Sequence, residues 1–476
     1  MKSTPVALAL ALLFGAAAAH AQSRIADGSS NTVLLPEAGN NLRQIGRDGA
    51  VRVLEPAGTS LTTRGTVSGN ISQSNLASQF SGRQTASVGG IDQAAQLGGT
   101  IVTQGSLVGN ISQSRRSDGG GFDQQVNIGG ATGSLVVRGQ AQLNGAVQAN
   151  ISQSSDDFVS VSGSGTQRID VGGSRESSGG NITTNGLATA ALTQTQRGGA
   201  TQTLRIGSID GATVESATLA GTITATVGQS SSPSSGSGGG VRSQSVDVGS
   251  LRGAQALNVA TDGLLAGALA QSQTAGAQQS VDIGSVANVD AAGTIDARGQ
   301  VLSTITQQTS AGTEQQISVG AVIGGSPQNA QARGTVSAAI SQTSTSPGNA
   351  SQRIAVGSIE GASGRVSTDA VVSAPITQAL TAGASSSSQR LAIGSTKDTA
   401  GNVTTRAVVS GAINQSANSS GAQQTIAIGS VQGSAANVRT DATVTGTLSQ
   451  STNPSGQTQK ILVGGVIGAS NETIAD

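Results

Sequence analysis

The chain has 476 residues with 25 basic and 25 acidic side chains; it is 11% charged and 1% aromatic, with 69 glycines and no cysteine. The even charge balance excludes the basic patch that nucleic-acid binding requires, and the lack of cysteine excludes a disulfide framework. So few large side chains cannot fill a thick globular core, and so little charge is unlike a disordered tail, which leaves a thin, backbone-rich β-structure.

Residues 1–21 read as a secretory leader. Lys2 supplies the positive start, Val6 to Ala19 is small and apolar, and Ala19-His20-Ala21 fits the small-x-small cleavage pattern before Gln22. The expected location is therefore secreted, extracellular or at the cell surface, and the style of the leader is bacterial, with a Gram-negative source expected. Cleavage removes Met1, Lys2 and His20, leaving a formal charge of −1 and no His, Cys, Met, Trp or Tyr. No later segment has the 18 or so consecutive apolar residues that read as a membrane-spanning helix.

Residues 22–54 follow no repeat and are expected to form an N-terminal segment or cap. Residues 55–464 form an array, and residues 465–476 a short tail. Within the array a seven-point pattern recurs at alternate positions and ends in glutamine: Leu61, Thr63, Gly65, Val67, Gly69, Ile71, Gln73 in an early copy, and Val438, Thr440, Ala442, Val444, Gly446, Leu448, Gln450 in the last. Eleven copies end in Gln73, Gln113, Gln153, Gln194, Gln229, Gln271, Gln307, Gln342, Gln378, Gln415 and Gln450. A period of two places all seven positions on one face of a strand. The residue eight before that Gln is Gly in the first eight copies and Ala in the last three.

A second, shorter pattern follows each copy, Gln-x-apolar-x-Val/Ile-Gly. Its glutamines are Gln84, Gln124, Gln167, Gln202, Gln244, Gln279, Gln315, Gln352, Gln389, Gln424 and Gln459. Its closing glycines, Gly89 through Gly464, permit a corner that other residues resist. From each such Gly to the next long-pattern Gln is 21 to 24 residues, whereas from that Gln to the short-pattern Gln varies from 8 to 15. One connection is thus framework and the other a solvent excursion, as its Ser, Gly and Asn tracts suggest. Pro233, Pro347 and Pro454 fall in the excursions and Pro327 in a turn. Pro375 alone falls inside a long strand, at an outward position, and is expected to mark a bulge or an exposed edge.

Two strands per repeat can pair as a hairpin or stack on the next repeat. Stacking alone explains Gln in both columns: at a rung spacing of about 4.8 Å each amide donates to one neighbour and accepts from the other. The expected fold is all-β, a β-solenoid of about eleven strand-turn-strand rungs of ~37 residues, about 50 Å long, with open edges at its ends unless capped.

At the Ile/Leu-Ser/Thr-Gln strand ends, as in Ile71-Ser72-Gln73, Leu192-Thr193-Gln194, Ile305-Thr306-Gln307 and Ile376-Thr377-Gln378, the chain resembles the curlin subunits of curli. The segment Asn41 to Val51 looks like one shorter curlin-type unit, and the repeat length is similar to that of Fap-type fibril subunits. The resemblance is one of repeat style over about Gly58 to Gly464. It implies export across the outer membrane and assembly into biofilm fibres by self-association, with secretion or anchoring proteins as partners. The repeat is longer than a curlin repeat and lacks the regular Asn partner.

The expected function is a secreted structural protein forming an extracellular fibre; a monomeric β-solenoid adhesin or surface stalk is the alternative. An enzyme acting on polysaccharides is the remote reading: Asp170, Asp247 and Asp282 share one register, two before the corner Gly, but the column is not sustained. No His, Cys or Tyr remains as base or nucleophile, so no catalytic residue, cofactor or metal is expected. Phe80, Phe122 and Phe158, placed in the first three excursions, are candidate loop contacts for a partner or for the rod itself. Asn70-Ile71-Ser72, Asn110-Ile111-Ser112 and Asn150-Ile151-Ser152 match a glycosylation sequon, and recur because the repeat does.

Overall fold

The computed structural model describes residues 61–468 apart from short breaks between strands, together with Ser23–Ala26, Ser30–Leu35, Glu37–Ala38 and Val53–Leu54. The leader, the Asn41 to Val51 unit, Phe80, Phe158 and residues 469–476 lie outside the described residues. So do the excursion prolines Pro233, Pro347 and Pro454.

The described residues form strands and turns with no helix. Strands stack in parallel and in register on the equivalent strand one repeat along, as in Gln229 on Gln271 and Gln244 on Gln279. This is the expected β-solenoid, and it has three faces: two sheets of 12 strands and one of 22. One coil runs along a long face (Ile209–Ile223), turns onto a first glutamine face (Val227–Ser232), makes its excursion, and returns along a second glutamine face (Arg242–Val248) to the next long face (Leu251–Leu265). The 22-stranded sheet has more strands than there are coils because most coils break the long face in two, as in Thr396–Lys397 and Ala400–Val409.

The seven-point pattern does not lie on one strand. It bends at a corner after its fourth point: Ala435–Val444 belongs to the long face and Leu448–Thr452 to the first glutamine face. Three residues, Thr445 to Thr447, make the corner. An odd number of corner residues keeps the inward alternation in phase, so the period of two passes through the bend unbroken. Pro375 sits at this corner, between Val372 and Ile376, and not inside a strand. At the same position Asn110 gives its N–H to a side chain, not to a ladder carbonyl. Proline there sacrifices no sheet bond, and its own carbonyl still accepts from Ile340 at 3.0 Å.

The interior has two apolar columns separated by a waist. One column stacks Val67, Ile71 and Val88 on their counterparts up to Val409, Ile413 and Ile428. The other runs along the long face from Ile91 and Ile101 to Val431 and Val438. At the waist the long face presses against the corner glycines of the second glutamine face. All eleven, from Gly89 to Gly464, have φ between 53° and 62°, a left-handed conformation that glycine adopts without a Cβ penalty. A Cβ on Gly105 would overlap the backbone of Gly129 and Val88, which explains Gly at that register in the early copies. In the copies with threonine two residues earlier, its hydroxyl closes the waist: Thr63 Oγ1 donates to Gly89 O at 2.8 Å, and Thr405 Oγ1 to Gly429 O at 2.8 Å. The seven points are thus divided among core, waist, corner and ladder.

Candidate functional site

The two glutamine columns lie between the two glutamine faces and are buried along the rod. In the first column each Nε2 donates to the Oε1 of the preceding coil's Gln at 2.6–2.8 Å, from Gln113 on Gln73 to Gln450 on Gln415. In the second column the same bond is 2.7–3.0 Å, from Gln124 on Gln84 to Gln459 on Gln424. Ladder partners are 35 to 43 residues apart in sequence and one strand apart in space.

The second amide proton is used as well. First-column glutamines donate across to the facing sheet, as Gln229 to Ser245 O at 3.1 Å. Second-column glutamines donate back to the next coil, as Gln244 to Ser272 O at 3.1 Å. Buried amides must have partners, and Gln meets this with a side chain long enough to reach both its own column and the opposite strand. Every ladder bond points the same way, with N–H toward the N-terminal end of the rod and Oε1 toward the C-terminal end.

The last described coil shows what this polarity leaves over. Gln450 is half-buried and Gln459 exposed, and among the described residues none donates to the Oε1 of either. Ile461, Val463 and Ile467 are 45%, 43% and 43% exposed, whereas Ile426 and Ile428, one coil earlier, are 0% exposed. The outer edges of Leu448–Thr452, Thr458–Val463 and Val466–Ile467 pair with no described strand.

Asp170, Asp247 and Asp282 do share one register, on the outer side of the second glutamine face, yet they are buried. The chain leaving the corner folds back over this side. Arg205 reaches Asp170 at 3.0 Å and Asp210 at 2.9 Å, and Arg252 contacts both Asp247, at 3.2 Å, and Asp282. Sequence reading singled out the carboxylates but not Arg205 and Arg252; the signal was there, since Arg205 stands between Asp170 and Asp247 in the same column. The arrangement is a charge stack in which buried carboxylates are paired with Arg205 and Arg252.

Burial pushes the Asp247 carboxyl up to about 6; Asp282 adds to the rise and Arg252 opposes it. A carboxyl raised in the folded state holds its proton longer than in the unfolded chain. Stability therefore falls as pH rises from the ordinary value of 3.8 to about 6. Urea midpoints at pH 4.5 and 7 are expected to show the wild type less stable at pH 7 through this group, with Asp247→Asn flattening the difference. An Asp247→Asn slope equal to that of the wild type would remove Asp247 as its source.

Phe122 is not in an excursion. It opens the strand Phe122–Ile128, is 5% exposed, and lies beneath the Arg115 guanidinium, 5.3 Å from ring centroid to Cζ. Its ring fills the space over Gly165, where any Cβ would overlap it. Phe122 therefore packs onto its own rod and offers no contact surface. Asn70, Asn110 and Asn150 line an exposed corner, where their Oδ1 atoms accept the N–H of Asn110, Asn150 and Ala191 at 2.9–3.0 Å. This corner ladder is the physical reason those asparagines recur.

Fold and site together define a three-faced parallel β-solenoid repeat protein with paired internal glutamine ladders. Comparison with protein-family models, curated proteins and solved structures finds no match.

Proposed function

We propose that this chain is a secreted structural protein whose rods join end to end into an extracellular fibre. The observation that carries the reading is the last described coil, where, among the described residues, two glutamine acceptors and three strand edges are unpaired and three apolar side chains are exposed, the chemistry a further rung would take up. Further support comes from the leader-like residues 1–21 and from the resemblance of the Ile/Leu-Ser/Thr-Gln strand ends to curlin and Fap-type subunits. Parallel edges with identical amides at each level are the geometry by which cross-β assemblies grow. Self-association is thus the proposed partner relation, without cofactor or metal, and matrix or cell-surface scaffolding the proposed role.

The mature chain, from Gln22, incubated at neutral pH and imaged by electron microscopy, is expected to give long unbranched filaments with a meridional spacing of about 4.8 Å. A monodisperse rod of about 50 Å that never lengthens would instead establish the monomeric stalk or adhesin.

A further inference from the structure

The three sheets continue past Gln73 and Gln84 at their N-terminal end. Ser23–Ala26 adds a parallel strand to the first glutamine face and Ser30–Leu35 one to the second. In register, Ile25 stands at the level of Gln73 and Asn31 at that of Gln84. This rung therefore brings no glutamine in either column. The long face ends differently: Glu37–Ala38 runs antiparallel to it, opposite Arg64 and Thr63, the one antiparallel pairing among those described. An antiparallel strand has a different hydrogen-bond pattern from the parallel ladder it covers.

The opposite end needs the reverse chemistry. The Oε1 atoms of Gln450 and Gln459 accept from no described residue, whereas inside the rod the same oxygen accepts from the glutamine one rung further on, as Gln415 from Gln450 and Gln424 from Gln459. We infer that the strands Ser23–Ala26, Ser30–Leu35 and Glu37–Ala38 are a detachable cap, and that a rod grows when the cap of an incoming copy is displaced so that its Gln73 and Gln84 donate to Gln450 and Gln459 of the copy before it. This rests on the fibre reading and adds its polarity, its junction and its control. The occupant of the C-terminal end is a second copy of this chain, because the junction reproduces the rung-on-rung contact already present between every pair of coils, from Gln113 on Gln73 to Gln450 on Gln415. Held closed, the cap lowers the competent fraction of the chain, and the apparent affinity of rod for rod falls by that fraction.

The cap can be locked without shortening the chain. Glu37 and Arg64 are opposed across the antiparallel pair, within the Cα separation a disulfide spans, and the chain has no cysteine of its own. Glu37→Cys with Arg64→Cys, oxidised, is expected to slow elongation about tenfold or more relative to the same protein reduced, while wild type is indifferent to reductant. Added at low ratio to wild type, Gln450→Leu/Gln459→Leu chains are expected to shorten filaments by terminating them. Equal growth of the oxidised and reduced forms overturns the cap. Unchanged filament length with the double Leu variant overturns the glutamine junction. Absence of filaments from wild type and from reduced protein alike overturns the fibre reading itself.

Discussion

Gln271→Leu is expected to destabilise the middle of the rod by about 2 kcal/mol, more than an ordinary substitution of similar volume. Gln271 donates to Gln229 Oε1 at 2.7 Å and Ser280 O at 3.2 Å, and accepts from Gln307 Nε2 at 2.7 Å. Leucine leaves the Gln229 oxygen and a Gln307 N–H without partners in a closed interior, at about 1–3 kcal/mol each. Its own apolar burial, about 1.5–3 kcal/mol, offsets part of this. The control is Gln450→Leu, at the open coil, where the amide is half-buried and water can replace the lost partner; a change of about 1 kcal/mol or less is expected there. Stacked repeats unfold coil by coil, so the measurement is hydrogen exchange resolved along the chain as well as the urea midpoint. Faster exchange centred on the coils that carry Gln229 and Gln307 is the expected pattern. Equal losses for the two variants would mean that the interior ladder contributes nothing specific.

The second large effect is expected at the waist. Gly249 has φ of 56°, and a Cβ there would overlap the Asp262 carbonyl. Gly253 has the same φ of 56°, but nothing lies within 4 Å of its Cβ position. Gly253→Ala should therefore cost only the left-handed backbone strain, about 1–2 kcal/mol. Gly249→Ala adds the overlap, about 1–3 kcal/mol more, because neither backbone can retreat without opening both apolar columns. Thermal or urea midpoints of the two variants give the comparison directly. If Gly253→Ala proves as damaging as Gly249→Ala, backbone conformation and not close approach explains the conserved geometry of the eleven corners.

The ladders were legible because a stacked fold repeats its chemistry at every level. A buried amide column tolerates no break in its interior, so the requirement appears in the chain as Gln at two fixed registers, eleven times over. The corner glycines were legible for the same reason, each needing a left-handed residue at the same point of every coil. Phe122 and Pro375 were misplaced for a common cause. Excursion and strand boundaries were set from spacing, and spacing does not say where the backbone bends. Phe122 looked like part of an excursion because it falls between Gln113 and Gln124, yet Gly165 on the next coil makes room for its ring.

The sequence by itself determined the order of strands, the stacking of like on like and the glutamine pairing, since these are translations of one unit and translation preserves residue identity. It did not determine the number of faces, because a three-residue corner leaves alternation in phase and so is invisible to a period of two. Nor did it determine that Asp170, Asp247 and Asp282 are enclosed: an outward position on one face becomes an interior one only when another stretch of the same coil folds over it. The polarity of the ladders, with donors toward one end and acceptors toward the other, belongs to the tertiary structure alone, for an amide has two ends and only its neighbours orient it.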